Sequence, residues 1–291
     1  MDVKSLGDTP PWEWPKDAKA TIHRALLDKR ADKSDRLLAA ELAGTNVVID
    51  DEMAESLLAI LRSSEEPEQL RARAAISLGP VLETAYTEDF DGEFDDPDAV
   101  PITEQTFHSI EDSLQELYRE EKTPKEVRRR ILEASVRAPQ DWHLDVIQAA
   151  YSSGDKDWVL TAVFGMGWIR GFDDQILEAL ESTDAEIHYE AVVAAGKQDV
   201  DAAWPHVVAL VEDRSTPKPL LLAAIEAVGQ IRPREAGVVL IELYDSTRDK
   251  EIAEAADEAM QMAQAMSGDN GDEDEEEEED EEDEEDDEWV N

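Results

Sequence analysis

The sequence predicts an all-α protein, a right-handed α–α superhelix of about seven helical hairpins. Three observations carry this expectation. They are a repeat of nearly constant period, columns of small residues recurring inside it, and no strand alternation or hairpin-turn signal between repeats. Seven segments fall into register, opening at Asp32, Pro67, Pro124, Asp155, Asp184, Pro217 and Asp249. The steps between them are 35, 57, 31, 29, 33 and 32 residues, so all but one share a period of the solenoid kind.

Positions 1–16 form an arm containing PPWEWP, expected to be extended and to cap the first repeat through Trp12 and Trp14. Positions 17–266 hold the repeats. In each, Asp or Pro opens a helix, the first as an N-cap acceptor and the second with φ already fixed. A large apolar residue follows three positions on, at Leu70, Val127, Trp158, Ile187, Leu220 and Ile252. Alanine stands four further on, at Ala39, Ala74, Ala162, Ala191, Ala224 and Ala256. This i, i+4 stripe predicts the buried face of a helix, with alanine permitting close approach. Gly44, Gly79, Gly167, Gly196 and Gly229 close the units, where a helix stop is expected. Apolar runs such as 57–61, 176–180 and 207–211 place a first helix ahead of each second one. The 57-residue step contains an insertion at 87–101, rich in Asp, Glu, Pro and Gly and expected to project as a loop. From 267 to 291 the chain is low-complexity acid, expected to be disordered because it has too little apolar surface to offset the entropy of ordering.

Charge narrows the function classes. The chain carries 73 acidic and 27 basic residues, a formal net charge of −46. Of the 20 positions 269–288, 18 are Asp or Glu, yet the remainder still holds about twice as many acids as bases. That balance argues against direct nucleic-acid binding, whose affinity comes from Lys and Arg neutralising phosphates. With no cysteine, a disulfide framework, a thiol nucleophile, an iron–sulfur cluster and a thiolate zinc site are excluded. There is no basic-then-apolar leader and no apolar run near 18 residues, so a cytoplasmic protein away from the membrane is expected. A salty cytoplasm also selects acidic, lysine-poor surfaces, so habitat and function both remain open as causes of the acidic body.

Each repeat reads as an apolar first helix, a short turn, Asp/Pro-x-x-apolar-Arg, then an Ala-rich, Gly-closed second helix. This pattern resembles the HEAT-repeat family, and more narrowly the short HEAT-like repeats first named for phycobilin lyases. The resemblance spans about 17–266. The Arg after the apolar column stands at Arg36, Arg71 and Arg128 and is replaced at Val159, His188, Leu221 and Ala253. What the resemblance implies is an α-solenoid, an architecture that many functions use.

The five histidines, His23, His108, His143, His188 and His206, are spread over different repeats, and none is followed by Glu. HEAT-like hydroxylases of the deoxyhypusine type, which this pattern resembles, carry repeated His-Glu dipeptides as iron ligands, so neither a metal centre nor a cofactor is expected. Gly165 and Gly167 lie in a helix column, where packing explains them. In the loop from Asp89, Gly92 stands at position four, whereas a calcium loop turns on a glycine at six, so no EF-hand site is expected.

Between Arg119 and Arg137 seven bases stand against four acids, with Arg71 and Arg73 in the equivalent helix one unit earlier. Arg71, Arg73, Lys125, Arg128, Arg129 and Arg130 form the candidate binding patch. One reading is a solvated face laced with helical ion pairs. The other is a docking patch for an acidic ligand, the chain's own tail included. Three roles are open to the tail: a solubility brush, a hook for basic partners, or a linear motif with Trp289 and Val290 at its tip. The expected function is a non-enzymatic scaffold or adaptor for another protein with a basic surface, its tail engaging that partner or regulating the groove. The alternatives are a phycobilin-lyase-like chromophore-attachment factor and an acidic DNA mimic.

Overall fold

A computed structural model describes residues 2–88 and 100–268. Positions 89–99 of the insertion, with the loop from Asp89, and the tail from 269 onward, with Trp289 and Val290, lie outside the described residues. Among the described residues the structure is helical and contains no strand. The chain divides into two compact units, Met1–Ile169 and Arg170–Asn291. The sequence reads as one array across this boundary, because the step from Asp155 to Asp184 is as regular as its neighbours.

In the first unit, α1 (Val3–Gly7) packs on a hairpin of α2 (Ala18–Leu27) and α3 (Lys33–Ala43). A second hairpin pairs α4 (Asp51–Arg62) with α5 (Glu68–Ile76), and α6 (Gly79–Glu88) follows directly. Two more hairpins are α7 (Glu104–Arg119) with α8 (Lys125–Ser135), and α9 (Trp142–Tyr151) with α10 (Lys156–Met166). The second helices α3, α5, α8 and α10 pack side by side in that order, forming one layer. The second unit repeats the plan. Its hairpins are α11 (Asp173–Leu180) with α12 (Ala185–Lys197), α13 (Trp204–Glu212) with α14 (Lys218–Ile231), and α15 (Pro233–Ser246) with α16 (Lys250–Gly268). Its second-helix layer is α12, α14 and α16.

The repeat columns do the work their chemistry predicts at most positions. Asp155, Asp184 and Asp249 accept hydrogen bonds from first-turn amides of α10, α12 and α16, satisfying donors that a helix start leaves unpaired. Pro67, Pro124 and Pro217 stand at the equivalent cap with φ near −57°. Ala39, Ala74, Ala162, Ala191, Ala224 and Ala256 are all completely buried, so the alanine column is the packing seam. The glycine column meets expectation in part: Gly44 and Gly167 stand at the C-terminal caps of α3 and α10, whereas Gly79, Gly196 and Gly229 lie within helices. Among the described residues left-handed glycines are Gly154 and Gly171, neither in that column. Gly196 sits inside α12, where a Cβ would come within 2.9 Å of the Ala227 Cα on α14. There glycine serves close helix approach, and the left-handed stop of α12 falls beyond it, at Asp199 with φ 52°.

The arm is folded, contrary to the extended form expected. Asp2 caps α1, whose Val3 and Leu6 are buried, and Pro11–Glu13 forms a 3-10 turn. Trp14 Nε1 donates to the carbonyls of Leu6 at 3.0 Å and Thr9 at 2.8 Å, whereas Trp12 points to solvent. Only Trp14 therefore acts in the predicted capping role.

Candidate functional site

The basic island is largely consumed by the fold. Arg36 Nε donates to the Leu26 carbonyl at 3.1 Å, and Arg71 Nε to the Leu61 carbonyl at 2.9 Å. Each ties a second helix to the carbonyl end of its own first helix, satisfying an acceptor that the helix terminus leaves open. Arg36 also forks onto Glu66 at 2.7 and 3.0 Å, and this hydrogen bonding holds the Glu66 carboxyl below the usual carboxylate range. Arg71 is thus buried, which corrects its place in the candidate patch: it has no surface for a partner. The same correction applies to Arg129, buried and bonded to Thr161 Oγ1 at 2.9 Å and to Glu126 at 2.8 Å.

The other four reach the surface but come with their own partners. Lys125 is held by Asp155 at 2.6 Å and Asp157 at 2.9 Å, from the next hairpin. Arg130 bonds Glu126 at 2.9 Å and Glu133 at 2.5 Å within α8. Arg73 pairs with Glu41 at 3.4 Å. Arg128 lies over the Trp158 ring, 5.8 Å from its centroid. A groove of about 350 Å³ between α3, α5 and α8 does bring Arg73 and Arg130 together, alongside Leu37 and Ile76, but Glu126 lines it too. Lys125, Arg73 and Arg130 are thus neutralised in place, and Arg128 is held against a ring.

A different surface stands out in the second unit. A groove of about 510 Å³ runs along α12, α14 and α16. Tyr189, Leu222 and Met262 give it apolar walls, Glu226, Glu251, Glu254 and Glu258 line it, and no lysine or arginine does. Glu251 is spoken for by Lys218 at 2.7 Å. Partial burial, with the Glu190 and Glu226 carboxylates nearby, raises the Tyr189 hydroxyl above its ordinary pKa. The sequence carried a signal for this groove: Glu251, Glu254 and Glu258 recur at helical spacing on one face of α16.

The histidines are not all isolated, as their spread over the repeats implied. His143 is completely buried, its Nδ1 accepting from the Gln140 amide at 2.9 Å and its Nε2 3.0 Å from Ser135 Oγ, and burial pushes its pKa down to about 4. It is a core residue. His188 and His206, from α12 and α13, meet with their Nε2 atoms 2.9 Å apart. Among the described residues there is no group of three or more His, Cys, Asp or Glu placed to hold a metal ion. Nor is any described helix long and apolar enough to cross a membrane.

No family model and no curated protein matches the chain. Solved structures similar to it include the following two. Human deoxyhypusine hydroxylase, in complex with glycerol, is 16% identical with a TM-score of 0.39, over 90% of this chain and 96% of that one. YibA of E. coli is 12% identical with a TM-score of 0.37, over 90% of this chain and 97% of that one. Both are HEAT-like helical proteins, and likeness at this level concerns fold alone. The first is an enzyme, which corrects the expectation of a non-enzymatic scaffold or adaptor: the architecture does not mark this chain as one.

Proposed function

We propose that the repeats are of the HEAT-like kind and that the second unit's groove recognises a cationic, amphipathic polypeptide segment. The reading names a ligand, not a reaction. The observation that carries it is the pairing of apolar walls, from Tyr189, Leu222 and Met262, with Glu226, Glu254 and Glu258 and no lining base. Apolar side chains of the ligand would bury against the walls, and its Lys or Arg residues would meet carboxylates that have no cationic partner within the groove. Charge of this kind also steers encounter, so association should slow as salt rises.

The test is the affinity of the full-length chain for a short amphipathic Leu/Lys peptide, read by fluorescence anisotropy. The double reversal Glu254→Lys/Glu258→Lys should weaken binding by about tenfold or more. An equivalent reversal in the acidic terminus, Glu276→Lys/Glu278→Lys, should change it less than about twofold on the same scale. Equal losses in the two variants, or none in the first, would remove the groove as the site.

A further inference from the structure

The meeting of His188 and His206 has a use that the groove reading does not absorb. The two rings are nearly perpendicular, at 79°, with centroids 5.1 Å apart. Their supports are rigid. His188 is flanked on α12 by buried Ile187 and Ala191, and His206 by buried Ala203 at the cap of α13 and Val207 within it. The connection between the helices is tight: Asp199 takes a left-handed φ of 52°, and the Asp199 and Val200 amides donate back to Gly196 and Ala195. Arg232 fastens the start of α13, forking onto Asp201 at 2.7 and 2.9 Å and lying over the Trp204 ring.

We propose that His188 and His206 form a two-imidazole binding site for a divalent transition metal of the copper(II) or nickel(II) type. Metal–imidazole bonds are about 2.0–2.1 Å long, so nitrogens kept 2.9 Å apart subtend roughly 90° at a shared ion once each ring turns on χ2 from the present head-on approach to aim its Nε2 at that ion. That is the angle between neighbouring ligands of a square-planar or octahedral ion, which copper(II) and nickel(II) adopt with nitrogen donors. A tetrahedral zinc ion would need the nitrogens to separate to about 3.3 Å. On the far side of His206, Nδ1 lies 3.7 Å from a Glu181 carboxylate oxygen. A carboxylate there favours the proton on Nδ1 and leaves Nε2 as the donor to metal, the arrangement that orients metal-bound imidazoles in general. When the ion enters, the proton shared between the Nε2 atoms moves through solvent to Nδ1 of His188, so both imidazoles bind neutral. Water fills the remaining positions.

The full-length protein, titrated with one equivalent of copper(II), should give an electron paramagnetic resonance spectrum with coupling to two equivalent imidazole nitrogens. Carboxylates elsewhere in this acidic chain contribute oxygen ligands and no such coupling, so the readout separates the site from the background. His188→Gln and His206→Gln should each abolish the two-nitrogen pattern and lower copper affinity by about tenfold or more, with helicity unchanged by circular dichroism. His108→Gln should leave the pattern intact. A wild-type spectrum with oxygen ligands alone, or a two-nitrogen pattern surviving in either pair variant, would leave the pair as a hydrogen bond only and overturn the proposal.

Discussion

The two units share a repeat but hold it together differently. Among the described residues, the buried polar and charged side chains all fall in the first unit: Arg36, Arg71, Ser77, Ser113, Thr123, Arg129, Glu133, Ser135, His143 and Thr161. There, Arg36 and Arg71 tie helices to carbonyls, and Arg129, Thr161 and Glu133 form a bonded chain between α8 and α10. The second unit relies on small residues: Ala191, Ala224 and Ala256 are completely buried, and Gly196 brings α12 against α14. The difference is one of failure mode. Polar staples in a low-dielectric interior are expensive to leave half made, whereas a small-residue seam is sensitive chiefly to volume. One repeat pattern thus supports two kinds of inter-helix glue, and the two units should respond to different perturbations.

The largest effect should follow from cutting a polar staple. Arg129→Met removes the bond to Thr161 and the pairings with Glu126 and with Glu133, 3.8 Å away, leaving buried Thr161 and Glu133 without that donor. A loss of about 3 kcal/mol in denaturant unfolding is expected, the range for breaking one partner of a buried charged pair. Hydrogen exchange should show lost protection in the first unit while the second keeps its own. Equal loss in both would mean that the units do not hold their stability separately, and the comparison would fail.

The converse perturbation is volume. Ala191→Leu or Ala224→Leu forces a larger side chain into the seam of the second unit and should cost about 1–3 kcal/mol, read as a lower thermal midpoint. A midpoint unmoved by either would show that the seam yields, and that the small-residue account of this unit is wrong.

These two sites also mark what could be read from the chain. The alanine register was legible because helical geometry puts every fourth residue on one face, and nothing outside the helix is needed to find it. Arg129 was legible in principle. Three successive arginines, Arg128 to Arg130, sweep about 200° of helix surface, so a patch using all three as surface contacts conflicts with the buried Val127, Ile131 and Leu132 around them. The glutamates that neutralise Arg130 stand at i−4 and i+3 and were equally visible. Three features were not. The glycine at Gly196 answers to a backbone on the next hairpin, which no local rule specifies. The division at Ile169 falls where the repeat spacing is regular, because spacing reports the period and not where the chain divides. The His188–His206 contact depends on the register of two helices joined by a turn through Asp199, whose left-handed φ its sequence does not announce.

The smallest effect comes from proton binding, and it sharpens the contrast because His143 belongs to the first unit alone. Its pKa is pushed down by burial from an ordinary 6.5 to about 4 in the fold. Between those values the unfolded chain binds a proton that the folded chain refuses, so stability falls as the pH drops from 7 toward 4. Between pH 7 and pH 5 the loss should be about 1–2 kcal/mol. The acidic chain works against this trend, since protonating carboxylates relieves repulsion, so the absolute slope with pH is not the quantity to measure. Glutamine at 143 offers a polar acceptor that does not titrate, and the difference between wild type and His143→Gln isolates the histidine. Denaturant unfolding at the two pH values should show the wild type losing about 1–2 kcal/mol more than the variant, with the loss of exchange protection confined to the first unit. Parallel lines for the two proteins would mean that His143 reaches water readily in the fold, and that the interior of the first unit is less closed than its burial implies.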